Sequence, residues 1–487
     1  MVSSLLLLLS YVFVLAHAVS LPSHYTTISR DVVILGGGSS GTYAAVKLVA
    51  RGRSVVVLDQ KGRLGGHVET YIDANGVPHN VGVTLYYNNT INNAYFSLLG
   101  VPTGPVAVSS TGGVFLDLAT GKTVPRFDPV SQVDSFIPAM LAYTAYVNTT
   151  YPYLTLSYEN LPYPLPSELL EPFTVFAARH NFTAMLQFFN GIAQNIGNLW
   201  ELPTYHGIHA VDPKLVDAFL KGFINAASGD NQDIYNAAAA YLGPQNVFLN
   251  STILDVDRSG ACFGVQETAA SGVCVLSTSP SLSSSANVTT LIKARKLLVA
   301  IPPSLRTLTA AHLDLDAHER FLFAKLHGLT YGVTVFSYPG LNSSNSYNNI
   351  GTHTPYNLLT LPGAFSYSPI PVGRFISGFG TLEDHGFLDD DVEALIRGEI
   401  TRMVAHGTAA GNPNDVRFEF LKIHAPFRLI PSAHDVANGA YKDLYALEGR
   451  RNTFWTGAAW SEQDSSQIWW WSELSLLPKM EAALHAR

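Results

Sequence analysis

The sequence predicts an α/β fold: a Rossmann-type domain in three layers, built from discontinuous segments, joined to an α+β second domain. Three observations lead there. Val32 to Leu35 is a short apolar run feeding straight into Gly36-Gly37-Gly38-Ser39-Ser40-Gly41, and Thr42 to Ala50 then has helical character up to Gly52. This is the strand, glycine turn and helix of a dinucleotide fingerprint: Gly36 allows the tight turn, Gly38 admits a pyrophosphate to the backbone, and Gly41 lets helix and strand pack closely. The helix N-terminus, with Ser39 and Ser40, offers N–H groups and partial positive charge to phosphates. A second strand, Ser54 to Leu58, ends at Asp59 and Gln60, where an acid about 20 positions downstream holds a ribose hydroxyl. Finally, apolar runs at Ile253 to Val256 and Lys296 to Ile301 read as further strands late in the chain.

After Asp59 come Lys61-Gly62-Arg63-Leu64-Gly65-Gly66-His67, then Val81-Gly82-Val83-Thr84-Leu85-Tyr86-Tyr87-Asn88. Arg63 with the Gly65-Gly66 pair resembles the R-x-G-G motif of flavin-containing amine oxidases and their relatives, and the Val81 block is similar to the second block of that superfamily. With His67 after the glycine pair, the resemblance is closest to the branch that includes the fungal beta-cyclopiazonate dehydrogenase family. It implies FAD, with Arg63, Gly65, Gly66, His67, Val83 and Thr84 at the cofactor; His67 is expected to contact the flavin non-covalently, with a covalent link through its ring as the alternative. It places backbone near Ile253 against the adenine, and Lys296 to Pro303 looks like the superfamily's return strand ending in Ala-x-Pro-Pro. Gly449 to Trp460 resembles the C-terminal flavin block, with Gly457 at the pyrophosphate. By the same analogy a last helix, starting at Asp464-Ser465-Ser466, points backbone N–H groups of Ser466 and Gln467 at the flavin pyrimidine edge, with Gln467 beside the ring.

On these blocks the FAD domain takes 28–100, 245–310 and 440–487, and the substrate domain 101–244 and 311–439. The second domain reads as strands at Gly113 to Leu118, helical spacing of Phe136, Met140, Tyr143 and Val147, further helical stretches at Ser167 to His180 and Thr183 to Ile196, and a helix opened by Asp212-Pro213. Leu326 to Tyr338 and Phe418 to Ile423 read as strands, with a helix around Asp391 to Ala405 whose start is a solvated acidic triplet, Asp389 to Asp391.

The chain has 487 residues, 47% of them hydrophobic, enough to bury a large core in two domains. Its net charge of −8, without a basic run, argues against a nucleic-acid partner. Leu5 to Ala16, followed by Ala16-His17-Ala18, reads as a secretory signal peptide over 1–18; an uncleaved anchor is the alternative. After cleavage no membrane span is expected. Sequons at Asn88, Asn148, Asn181, Asn250, Asn287 and Asn342 suit an exported glycoprotein. Cys262 and Cys274 lie in neighbouring apolar runs that form a hairpin; they pair in an oxidising compartment, or stay as two buried thiols.

The amine oxidases carry a Lys on the strand after the Pro-Pro block. Here that strand, Leu329 to Phe336, has none, Lys325 precedes it, and Asn80 stands where an acid is common. The departure argues against ordinary amine oxidation. His424, beside Pro426, is a candidate base. His206 and His209, spaced by three, read as a loop and complete no metal set. Trp469 to Trp471 reads first as core, with a pocket wall as the alternative. The expected function is a secreted FAD-dependent oxidoreductase that takes hydride from a small, largely apolar molecule, with molecular oxygen as acceptor, in fungal secondary metabolism. The alternatives are a redox-neutral isomerase of polyunsaturated fatty acids and a flavin-binding protein without catalysis.

Overall fold

The computed structural model describes residues 21–106, 112–124, 133–194, 196–264, 272–281 and 286–486; the expected signal segment lies outside them. The strand β1 (Thr26–Leu35) leads into the helix α1 (Ser39–Ala50) and the strand β2 (Val55–Leu58). The first sheet runs in the order Val247–Phe248, β2, β1, Asn287–Val299, Val273–Pro280, Thr252–Asp257. The first four strands are parallel and the last two antiparallel. Val32 to Leu35 and Val55 to Leu58 are buried throughout, the continuous apolar run that a strand covered on both faces needs. The long strand Asn287–Val299 serves three partners. Its first part lies between β1 and Val273–Pro280, and its last three residues pair in parallel with Thr453–Trp455. This sheet therefore combines 26–58, 247–299 and 453–455.

The second sheet has the order Arg417–Pro431, Leu326–Ser337, Arg374–Thr381, Ser366–Ile370, Asn345–Asn349, Gly112–Asp117, Lys122–Thr123. The helix Asp389–Ala405 covers it. Val392, Ile396, Ile400 and Met403 recur every three or four residues and are fully buried against Phe336, Phe375 and Phe379. Each such side chain contributes roughly 2 kcal/mol of burial. Asp389 to Asp391 stay exposed in the first turn, where their charge meets the helix dipole favourably.

A helical block that includes Val133–Thr150, Phe173–Arg179, Leu186–Ile192, Thr204–Ala210 and Pro213–Lys221 shares one hydrophobic core with the first sheet. Asp212 caps the last of these through the N–H groups of Lys214 and Leu215, with Pro213 in the first turn. The His206/His209 stretch is helical, which corrects the loop expected from sequence. Both rings are fully buried: His206 Nδ1 meets the Tyr158 hydroxyl at 2.7 Å, and His209 lies between the Leu154 and Ser461 carbonyl oxygens at 2.8 and 3.1 Å. Tertiary packing made this helix, because Pro203 and Gly207 hid its periodicity. Gly207 is required there, since a Cβ would stand 2.4 Å from the Phe173 ring.

Cys262 and Cys274 form a disulfide, with Cys262 in a short turn and Cys274 on the strand Val273–Pro280. Just before that turn, Arg258 is buried and spans the sheet edge. Its guanidinium donates to both Glu319 oxygens at 2.9 and 2.8 Å and to Asp314 at 2.5 Å. Removing one member of such a buried pair strands the other charge. Arg258→Ala should lower unfolding stability by about 3 kcal/mol, less than the extreme because Arg451 also reaches Glu319; urea unfolding monitored by tryptophan fluorescence measures it.

Candidate active site

The glycine turn divides its work among three residues. Gly36 has φ +104°, so a side chain there is strained. A Cβ on Gly41 would lie 2.0 Å from the Gly36 carbonyl oxygen and 3.0 Å from Ala300 Cβ, so only a bare Cα lets α1 reach the sheet. A Cβ on Gly38 meets nothing closer than Gly66 Cα at 3.8 Å. That position opens on a cleft rather than on protein. Gly38 is the N-cap of α1; no side chain caps the helix, and its first turn carries no acid. Its N–H groups and the positive end of its dipole therefore face the cleft ready for an anion.

Asp59 ties the floor of this cleft together, accepting the N–H groups of Gly37 and Lys61, each at 2.7 Å. The cleft, about 470 Å³, extends from Ser251, Thr252 and Ile253 past Asp59 and Gln60, over Gly36, Gly38, Ser39 and Ser40, to Gly65, Gly66 and His67. Ala300 to Pro303 and Thr456 to Ala459, Gly457 included, line its other side. A long groove with an uncapped helix N-terminus at its middle, a carboxylate to one side and side-chain-free backbone on both walls fits FAD.

The C-terminal helical stretch, opening with Ser465–Trp471, packs alongside α1 with the two N-termini together: Ser39 faces Ser465, Tyr43 stacks on Trp469, and Arg51 pairs with Glu473 at 2.6 Å. Ser39 Oγ lies 2.9 Å from Ser465 Oγ and accepts hydrogen bonds from Trp469 Nε1 at 3.0 Å and the Tyr235 hydroxyl at 3.1 Å. Here the structure corrects two expectations. The N–H groups of Ser466 and Gln467 donate to the Asp464 carboxylate at 2.7 and 3.0 Å, so the helix is capped by its own acid and those donors are taken. Ser466 and Gln467 line neither cavity; Gln467 Nε2 donates to the Tyr87 hydroxyl at 3.2 Å. Trp469 is likewise core, stacked on Tyr43 and Tyr86 and fully buried.

A second cavity, about 450 Å³, lies against the first. Its wall is mixed: Leu85, Ile192, Ile196, Leu215, Phe223 and Phe427 are apolar, while Asn80, Thr84, Ser366, Ser368 and the Tyr331 hydroxyl, which donates to Gln194 at 2.9 Å, are polar. His67, Val83, His424, Gln463 and Ser465 line both cavities. The His67 and His424 rings stack at 4.1 Å, and Gln463 Nε2 stands 3.3 Å from His67 Nδ1. Burial, then the nearby Lys61 and Arg63 charges, lowers the His67 pKa to about 4. His424 is pushed well below its ordinary value, first by burial and then by His67. Both rings are neutral at physiological pH, and His424 Nε2 has no hydrogen-bond partner among the described residues.

Of the other residues singled out in the sequence, Thr84 lines the second cavity alone. Arg63 lines neither, its guanidinium held by Glu69 at 2.7 Å and Gln232 at 2.7 Å. Lys325 is drawn away to Asp435 at 3.6 Å, and Tyr331 stands on the strand where amine oxidases carry lysine. Sequence reasoning missed Gln463, in a loop with no periodicity. It also missed the buried pair of Arg428 and Glu462, which joins the two walls: Arg428 borders the first cavity and Glu462 the second.

The fold and the two cavities define a flavin-dependent oxidoreductase. Residues 34–100 match the family model of the NAD(P)-binding Rossmann-like domain. The chain is 33% identical over 483 residues to FAD-dependent oxidoreductase dpchF of Colletotrichum higginsianum, covering 98% of each. It is 29% identical to beta-cyclopiazonate dehydrogenase of Aspergillus oryzae, covering 92% of each. It belongs to this family of FAD-dependent oxidoreductases, and FAD is its cofactor. Among solved structures, a CLA-producing fatty acid isomerase from P. acnes superposes with TM-score 0.69 at 17% identity, covering 91% of this chain and 97% of that one. Putrescine oxidase gives 0.59 at 14%, covering 94% and 99%. These two show the shared fold.

Gly38→Val should fold with wild-type thermal stability once the wild type is stripped of flavin, yet purify colourless, because its side chain fills cofactor space. Gly41→Val should lose soluble protein instead. Visible absorbance and a thermal melt separate the two.

Proposed function

We propose that this oxidoreductase takes hydride from a C–H bond of a small, largely apolar molecule held in the second cavity, and that molecular oxygen serves as acceptor. The observation that supports this is the common wall of the cavities: a ligand in one reaches a ligand in the other across His67, His424 and Gln463. FAD, when bound, supplies the two-electron acceptor. The chain supplies the rest. The uncapped α1 N-terminus and Asp59 hold the cofactor's polar half. Gln463 fixes the His67 ring by donating to Nδ1, which leaves Nε2–H as a donor. His424, neutral and unpartnered at Nε2, orients a substrate without bringing charge to the redox centre. The apolar side chains of the second cavity keep water from it.

Export through the secretory pathway is part of the same proposal. It rests on the apolar N-terminal stretch, the disulfide, and the exposure of all six sequon asparagines. A place in fungal secondary metabolism is proposed from the fungal sources of the relatives.

Anaerobic addition of substrate from a panel of apolar metabolites should bleach the bound flavin, and admitting air should restore colour with release of peroxide. A double-bond shift in linoleic acid without oxygen uptake would replace this reading with a redox-neutral one. Gln463→Ala should slow bleaching on the order of tenfold or more, whereas Gln467→Ala should change it little. Mass spectrometry of the secreted protein should find the chain beginning near Val19 and glycan on some of the six asparagines.

A further inference from the structure

Three carboxylates crowd the end of the last helix, and two of them have cations. Asp212 pairs with Lys214 at 2.9 Å, and Glu462 with Arg428. Asp464 has no cationic partner among the described residues. Its Oδ1 accepts the Ser466 and Gln467 N–H groups, which leaves Oδ2. Asp464 lines the substrate cavity, next to Gln463 and Ser465 on the wall common to both cavities, and is only partly buried. In this interior position its exposed surface faces the cavity. Leu215 and Phe223 are among the apolar side chains of this cavity, and of its two carboxylates Glu462 is held by Arg428, so Asp464 is the one anionic acceptor there without a cation among the described residues.

We propose that the free oxygen of Asp464 accepts a hydroxyl or a neutral N–H of the substrate and takes its proton, so that the site selects apolar molecules whose hydride-yielding C–H adjoins such a group. This rests on the second cavity being the substrate site. The C–H bond breaks and its hydrogen would leave with the electron pair to oxidised FAD, the two-electron acceptor when bound. The O–H or N–H bond breaks, its proton passes to Asp464, and its electron pair becomes the π bond of the new C=O or C=N. The helix N–H groups on Oδ1 hold the carboxylate in place throughout.

Burial raises the Asp464 pKa to about 7, opposed by its two backbone hydrogen bonds and reinforced by Asp212 and Glu462. The charges facing it are Asp212 with Lys214 from one helix and Glu462 with Arg428; Tyr87, His67 and His424 are neutral neighbours. The ionised form is the acceptor, so its effect grows as pH rises through that value.

The test uses FAD-loaded protein and two probes, 2-naphthol and 2-methoxynaphthalene, titrated against the flavin absorbance spectrum at about pH 6 and about pH 8, either side of the ionisation. Wild type should bind the naphthol roughly tenfold tighter than the ether at the higher pH, as a hydrogen bond to a charged group gives, and lose most of that preference at the lower. Asp464→Asn keeps a competent helix cap, so flavin content should hold while the preference falls below about twofold at both pH values. A preference retained in Asp464→Asn, or absent from wild type at the higher pH, overturns the proposal. Should Asp464→Asn fail to fold, the wild-type pH dependence decides alone: a preference that does not change between the two pH values overturns it. Bleaching by a substrate lacking any O–H or N–H would overturn it too, while leaving the hydride reading of the cavity intact.

Discussion

A helix can pack this closely on a sheet only where nothing projects between them, and at Gly41 that clearance is used up. A single carbon added there would lie 2.0 Å from the Gly36 carbonyl and 3.0 Å from Ala300. The contact joins three parts of the chain, β1, α1 and the end of the return strand, at the floor of the cofactor cleft. From it follow the direction of α1, the exposure of its uncapped N-terminus, and the placement of Ser39 against Ser465 of the last helix. The two helices lie side by side with their N-termini together, yet only one presents free donors, because Asp464 occupies those of the other.

That asymmetry gives the site its chemistry. Positive dipole charge is concentrated at the glycine turn of the cofactor cleft, and on the wall common to both cavities stand neutral rings, a glutamine and, beside them, Asp464. Charges that do occur nearby are paired and buried, as in Arg428 with Glu462. Such a pair costs desolvation, and it stands between the two cavities, where a fixed wall matters more than stability.

The sequence revealed what local chemistry determines. Val32 to Leu35 and Val55 to Leu58 announced buried strands, the glycines announced a cofactor turn, Asp212 and Asp464 announced helix caps, and the acidic triplet Asp389 to Asp391 the start of a helix. What stayed hidden depends on contacts across hundreds of residues. Gln467 was expected at the flavin because it opens the helix by analogy with relatives, but the side chain that reaches the cavity is Gln463, in the loop before it. Asp464 advertised its cap and concealed the consequence, that it consumes the donors assigned to the cofactor. His206 and His209 look like a loop because Gly207 between them is there for the Phe173 ring, not for a turn.

The first sheet draws its strands from both ends of the chain, with Thr453–Trp455 alongside Val299 and Gly457 on the cofactor cleft. During synthesis the fingerprint emerges within the first tenth or so of the chain, yet the cleft lacks one wall until almost the whole polypeptide has left the ribosome. Pairings of such sequence separation are slow to form. The cofactor is thus acquired by a finished chain rather than by a growing one, and a product truncated before Thr453 would carry an intact nucleotide motif with nothing to close it.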